Sequence, residues 1–136
     1  MPSGGCMCGN VRYEVSGDSE ASILCHCIDC RKIGGSTYSS NAVYNADGFK
    51  VTKGTPKQHK KKADGGNDIT SNFCGDCGST MWREGATFAG KRIIKAGTLD
   101  DTSILDNFKA DAELYANTRP KWVGAQSGAA QKDGMS

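Results

Sequence analysis

Seven cysteines gathered into three tight groups constrain this 136-residue chain more than any other feature. They are Cys6-Met7-Cys8, Cys25-His26-Cys27-Ile28-Asp29-Cys30 and Cys74-Gly75-Asp76-Cys77-Gly78. An odd number argues against a fully paired disulfide framework. In an extended segment residues i and i+2 point to the same side, so C-x-C offers two sulfurs to one ion, whereas a disulfide between them would be badly strained. C-x-x-C followed by glycine is a turn whose sulfurs and free amide hydrogens converge on a metal, as in the knuckles of zinc ribbons. Cys74 to Gly78 has that form.

The spacing suggests a partition. The middle group fuses a C-x-C to a C-x-x-C through the shared Cys27, so Cys25, Cys27 and Cys30 can reach one ion from a single segment. Cys6, Cys8, Cys74 and Cys77 then complete a tetrahedral Cys₄ set that ties the start of the chain to its middle. A closed Cys₄ centre reads as structural, and a Cys₃ centre leaves a position for water or substrate and reads as catalytic. Spacing alone leaves other pairings of the groups open. Zinc is favoured over an iron–sulfur cluster because C-x-C is unusual among cluster motifs. Two zinc ions per chain are expected.

Composition agrees that something besides apolar burial holds the fold. Hydrophobic residues make up 37% and glycines number 18, little material for a core of this size. The length fits a single domain over residues 1–136. A net charge of +2, which turns slightly negative once thiolates bind zinc, is too small for a nucleic-acid binder relying on bulk charge. No apolar stretch approaches the roughly 20 residues of a membrane span, and no signal region precedes Cys6. A cytoplasmic protein with reduced thiols and no membrane partner is expected.

Strand signals dominate. Val11, Tyr13 and Val15 alternate with polar residues, and Ser22 to Cys25, Tyr38 to Tyr44, Phe49 to Val51, Ile69 to Phe73, Met81 to Arg83 and Arg92 to Ala96 are further short runs bounded by Gly, Asn or Asp. Asp29 to Ile33 and Asp101 to Leu105 could each form a helical turn. Lys53 to Asn67, with its glycines and lysines, reads as a flexible segment, and Gly124 to Ser136 as a small polar tail, ordered or frayed.

The motifs Gly5-Cys6-Met7-Cys8-Gly9 with Val11-Arg12-Tyr13, Cys25 through Arg31-Lys32, and Phe73-Cys74-Gly75-Asp76-Cys77-Gly78-Ser79 together resemble the glutathione-dependent formaldehyde-activating (CENP-V/GFA) family. Ala112-Glu113-Leu114-Tyr115 through Arg119, Trp122 and Gly134-Met135 look like its fungal-type members. The resemblance implies a mainly β fold, an Mss4-like β-tent of short antiparallel sheets stabilised by zinc. It also implies that Cys6, Cys8, Cys74 and Cys77 hold a structural zinc and that Cys25, Cys27 and Cys30 hold a catalytic one. The activity it implies is that of a carbon–sulfur lyase or synthase joining glutathione to a small carbonyl or electrophile, as in S-hydroxymethylglutathione formation. Asp111 to Tyr115 lacks a histidine found there in many bacterial members. The alternative class is a zinc-stabilised binding module or glutathione carrier without turnover, its second site closed by His26, His59 or a carboxylate.

Glutathione carries two carboxylates, so cations are expected near the three-cysteine site. Arg31 could clamp a carboxylate and Lys32 supply a point charge, or either could offset the thiolates. Gly34-Gly35 reads as a chain reversal. His26, between two ligands of an extended segment, faces away from the metal. His59 lies in a lysine run that reads as a solvated loop without aromatics for base stacking. Trp82 and Trp122 read as core or sheet-edge anchors, and Arg83-Glu84 and Arg12-Glu14 as surface pairs.

Overall fold

The structure, a computed structural model, describes residues 1–135. Its strands are β1 (Ser3–Gly5), β2 (Arg12–Val15), β3 (Ala21–Cys25), β4 (Ser39–Asn45), β5 (Phe49–Lys53), β6 (Lys57–Lys62), β7 (Asp68–Phe73), β8 (Thr80–Gly85), β9 (Lys91–Lys95), β10 (Ala112–Leu114) and β11 (Ala130–Gln131). Two short helices, α1 (Ile28–Gly34) and α2 (Ser103–Asp106), complete it with several 3₁₀ turns. The expected mainly β fold is present, with helical turns at both places the sequence marks.

The strands form a three-stranded sheet, β1-β2-β5, and an eight-stranded sheet, β11-β10-β3-β4-β9-β8-β7-β6. In β2 the alternation works as a strand with one buried face: Tyr13 and Val15 are buried between the half-buried Arg12 and Glu14. Tyr13 stacks on Phe49 of β5 with ring centroids 5.4 Å apart, and both rings meet Trp82 of β8, at 6.1 and 4.7 Å. That aromatic trio joins the small sheet to the large one, with Ala42, Tyr44, Met81 and Ile94 around it. Gly4 permits the close approach of β1: a β-carbon there would lie 2.4 Å from the Thr98 carbonyl oxygen and 2.5 Å from Tyr13 Oη.

Three expectations change and one left open is decided. Lys53 to Asn67 is a hairpin rather than a flexible segment, because β6 pairs along its whole length with β7 through backbone bonds that its exposed side chains do not disturb. Its lysines lie on an outer edge strand, where charge discourages pairing with another chain. The tail is ordered, since β11 pairs with β10; Ser136 lies outside the described residues. The sheet is not wholly antiparallel, as β10 runs parallel to both β3 and β11. Trp82 is a core anchor as expected, but Trp122 is 80% exposed and anchors nothing.

Ile94 is fully buried at the junction of the sheets. Replacing it with alanine is expected to remove about 2–5 kcal/mol of stability, read as a lower midpoint in denaturant unfolding of the metal-loaded protein; a loss below about 1 kcal/mol would contradict this core assignment.

Candidate metal centres and cavity

The β1–β2 turn carries Cys6 and Cys8, and the β7–β8 turn carries Cys74 and Cys77. Their sulfurs all lie within 4.8 Å of one another. Cys6 and Cys8 Sγ are 3.6 Å apart, and Cys8 and Cys74 Sγ 3.7 Å. A tetrahedron with 2.3 Å zinc–sulfur bonds has edges of about 3.8 Å, whereas a disulfide is about 2.05 Å. The separations therefore fit sulfurs sharing an ion. Backbone amides supply the hydrogen bonds that thiolates accept: Val11 N donates to Cys6 Sγ at 3.2 Å and Asp76 N to Cys74 Sγ at 3.4 Å. Gly78 turns the knuckle with φ of 81°, a conformation that favours glycine.

The second group forms where the large sheet hands over to α1. Cys25 ends β3, Cys27 is the N-cap of α1, and Cys30 sits in its first turn, so strand and helix together aim three sulfurs within 4.8 Å of one another. Cys27 Sγ accepts the Cys30 amide at 3.3 Å, the capping bond that serine or aspartate makes elsewhere. Gly35 ends the helix in the left-handed conformation, a chain reversal as expected. Among the described residues no further Cys, His, Asp or Glu joins either group.

Crowding makes the sulfurs share protons. Cys30 is held down at about 2 by the thiols of Cys25 and Cys27, with Lys95 adding to the effect. The thiols of Cys27 and Cys30, with burial, push Cys25 far up. In the other group Ser79 holds Cys77 at about 5 and Cys6 is lowered as well; Asn10 favours the Cys8 thiolate, but burial and the surrounding sulfurs overcome it and push that group up to about 12. In each cluster at least one sulfur resists ionisation beside its neighbours, and a bound cation would favour thiolates throughout. Both donor sets fit a soft, tetrahedral ion.

Cys25, Cys27 and Cys30 line a cavity of about 730 Å³, within the range of small-molecule sites. Its floor is one face of the large sheet: Ile23 and Cys25 alternate inward on β3, Asn41 and Val43 on β4, and Ile93 and Lys95 on β9. Arg83 lies opposite Ile93 across β8–β9 and Lys95 opposite Asn41 across β4–β9. Arg31 and Lys32 are exposed on α1 and are not among the residues lining the cavity. Arg83 and Lys95 are. Arg83 is 8% exposed and donates from Nε to Ser71 at 3.1 Å; Lys95 Nζ donates to Asn41 Oδ1 at 2.8 Å, and burial lowers its pKa. Neither has a carboxylate partner among the described residues, whereas Lys61, Lys62 and Lys91 are paired with Asp29, Asp68 and Glu20.

The surface-pair readings are therefore corrected. Glu84 pairs with Arg92 at 2.9 Å, leaving Arg83 to the opposite face, and Arg12 pairs with Asp100 rather than with Glu14. Strand alternation separates Arg83 from Glu84, which the sequence reading overlooked. His26 faces away from the sulfurs, as expected, and is fully buried; its Nε2 lies 2.7 Å from Glu113 Oε1. His59 is exposed on β6. Glu113, fully buried and unsuspected from sequence, also accepts from Gln126 N at 2.8 Å and Gln131 Nε2 at 2.7 Å. Burial alone would raise its pKa, but the bonds from Gln131, Gln126 and His26, with Arg119 nearby, hold it at about 2.

A β protein that brings four sulfurs together between two sheets and opens a second sulfur set into a cavity defines a class, a small domain with two cysteine groups that could each hold a metal ion. The chain belongs to the glutathione-dependent formaldehyde-activating enzyme family, whose sequence pattern matches residues 1–118. A crystal structure of a Rhodobacter sphaeroides protein has the same fold, with a TM-score of 0.64 over 79% of this chain and 96% of that one at 19% identity. No curated protein sequence matches the chain. Among the described residues no helix is long and apolar enough to cross a membrane.

Glu113 gives a pH prediction. Its folded pKa is depressed, so its contribution to stability is complete above about 4.5 and is lost as pH falls toward 2. Glu113→Gln would set an amide N–H against the donors of Gln126 and Gln131 or of His26, at about 1–3 kcal/mol. The variant should be less stable than wild type at pH 7, with the deficit shrinking below pH 4.5 in parallel unfolding titrations; a deficit independent of pH would contradict it.

Proposed function

We propose that the protein is a zinc-dependent carbon–sulfur lyase or synthase that adds glutathione to a small carbonyl or electrophile, as in S-hydroxymethylglutathione formation, and can run the reaction in reverse. Its catalytic centre is Cys25, Cys27 and Cys30, and Cys6, Cys8, Cys74 and Cys77 carry the structural zinc. The observation that carries the reading is the difference between the two sulfur groups. Four ligands enclose one site, whereas three line a cavity and no other side chain of the described residues completes them.

Zinc held by Cys25, Cys27 and Cys30 would be a weak Lewis acid, and the chemistry it would supply is a lowered pKa for a substrate thiol, which when free, at about 8.5, is mostly protonated at neutral pH. The protein's own residues do the rest. Arg83 and Lys95, without carboxylate partners among the described residues, place positive charge on the cavity floor, suited to the carboxylates of glutathione. Arg31 and Lys32, exposed on α1, would draw an anionic substrate toward the mouth from solvent. The apolar floor of Ile23, Val43 and Ile93 excludes water around the reacting carbon. The C-terminal stretch that looks like fungal-type members would make this a protein of that branch, and the enzyme would work in the cytoplasm.

Wild type and Cys27→Ser should be compared for metal content, thermal unfolding and turnover of glutathione with formaldehyde. Turnover should vanish in the variant while one metal per chain and the unfolding transition remain; unchanged turnover would refute the reading. In cobalt-substituted protein, added thiol should change the metal's absorption spectrum. A spectrum indifferent to thiol would favour the binding-module alternative.

A further inference from the structure

Tyr115 is the one non-glycine among the described residues with positive φ, at 52° with ψ of 43°. The left-handed conformation costs a residue with a β-carbon roughly 1–2 kcal/mol and persists only where the surroundings hold it. They do so from three directions. Gly134 O accepts the Tyr115 amide at 3.1 Å, and the Tyr115 carbonyl accepts from Thr118 N at 3.0 Å and Thr118 Oγ1 at 2.9 Å. Thr118 Oγ1 also lies 2.6 Å from the carbonyl of His26, and the His26 amide donates to Leu114 O at 3.0 Å. The backbone of Tyr115 is thus bound to the segment that carries Cys25 and Cys27.

Glycine or asparagine would occupy this conformation at little cost, so the strain preserves the side chain. The ring lines the cavity that holds Cys25, Cys27 and Cys30, and its Oη donates to Asp64 Oδ2 at 2.9 Å on the β6–β7 turn. Tyr115 carries the one phenol hydroxyl among the described residues lining the cavity. Arg83 does not release its protons, Lys95 is engaged by Asn41, and Asp29 and Glu20 are paired with lysines.

We propose that Tyr115 is a catalytic residue whose phenol hydroxyl donates a hydrogen bond, and then its proton, to the carbonyl oxygen of the electrophile as sulfur adds to the carbon. The assignment rests on the functional reading above. In the addition, the thiolate lone pair forms the C–S bond and the C=O π pair moves to oxygen. That oxygen takes the phenol proton, and the phenolate regains one from water. In cleavage the same steps run backward. Burial, with the Asp64 carboxylate, pushes the phenol up to about 12, so the proton stays in place until an oxyanion forms. Asp64 positions the ring at rest and yields when the carbonyl arrives.

The test compares metal-loaded wild type, Tyr115→Phe and Asp64→Ala with glutathione and formaldehyde. Y115F keeps the ring and should lose roughly a hundredfold in kcat. Its KM for glutathione, its calorimetric affinity for glutathione and its metal content should stay at wild-type values. D64A keeps the phenol but loses the contact that positions it, so its loss in kcat should be clearly smaller than that in Y115F. Wild-type kcat in Y115F would overturn the assignment, as would loss of its metal or of glutathione binding, which would make the residue structural. A loss in D64A equal to that in Y115F would reduce the hydroxyl to a latch and also overturn it. A wild-type protein that neither binds glutathione nor turns over would bring down the functional reading itself, and the role of Tyr115 with it.

Discussion

The rest of the structure depends on four sulfurs from two sheets meeting at one point. Cys6 and Cys8 belong to the turn of the small sheet, and Cys74 and Cys77, 66 residues beyond Cys8 at their nearest, to a turn of the large one. Between the sheets the apolar filling is thin: Tyr13, Phe49 and Trp82 do most of it. A chain with so little aliphatic material gains little from burial alone, and a metal held by the four thiolates would stabilise what the core leaves marginal. Cys6 and Cys74 are themselves part of the buried cluster, so the four-sulfur group extends the core at its end rather than decorating the surface.

That clip also decides where chemistry can occur. With the small sheet fixed against one face of the large sheet, the opposite face is free to floor a cavity. Successive residues of one strand then serve different purposes: Ala42 and Tyr44 pack in the core while Asn41 and Val43 face the cavity, and Ile94 is buried between the lining residues Ile93 and Lys95. The sulfur triad arises where β3 leaves this face and turns into α1, and β10 lies parallel beside it. The parallel pairing places Leu114 opposite Cys25, and it brings Glu113 to His26 and Tyr115 to the cavity rim.

Much of this was legible in the cysteines. Spacing within Cys25 to Cys30 and within Cys74 to Gly78 is local, and local geometry can be read from a sequence; it suggested the partition into four and three, which the fold brings together. The strands with one exposed face, such as β2, were legible too. The strands of the large sheet were harder to read in detail, because both faces are covered and the alternation that separates inside from outside carries two kinds of inside. Arg83 and Lys95 were missed for that reason, since their cavity role appears only once β8, β9 and β4 are in register. Arg31 and Lys32 were conspicuous because they follow a ligand in sequence, but the helix carries them away from the cavity wall. Glu113 and Tyr115 gave no local signal, as their partners lie in β3, in the tail and on the β6–β7 turn.

The charge arrangement explains why two buried cations without carboxylate partners are tolerated. Three thiolates around a divalent ion leave a net charge of about −1, and Lys95 stands close enough to Cys30 to favour its thiolate. Burial disfavours charge on Lys95 and prevails, lowering its pKa, while attraction to Cys30, Cys25 and Cys27 works against it. Arg83 has no such counterion among the described residues and is held by Ser71, so it remains an unpaired cation on the cavity floor. The rim lysines, each already paired, add little to the charge there. A cavity charged in this way suits the anionic thiol substrate proposed above, with Arg83 as the candidate partner for a carboxylate.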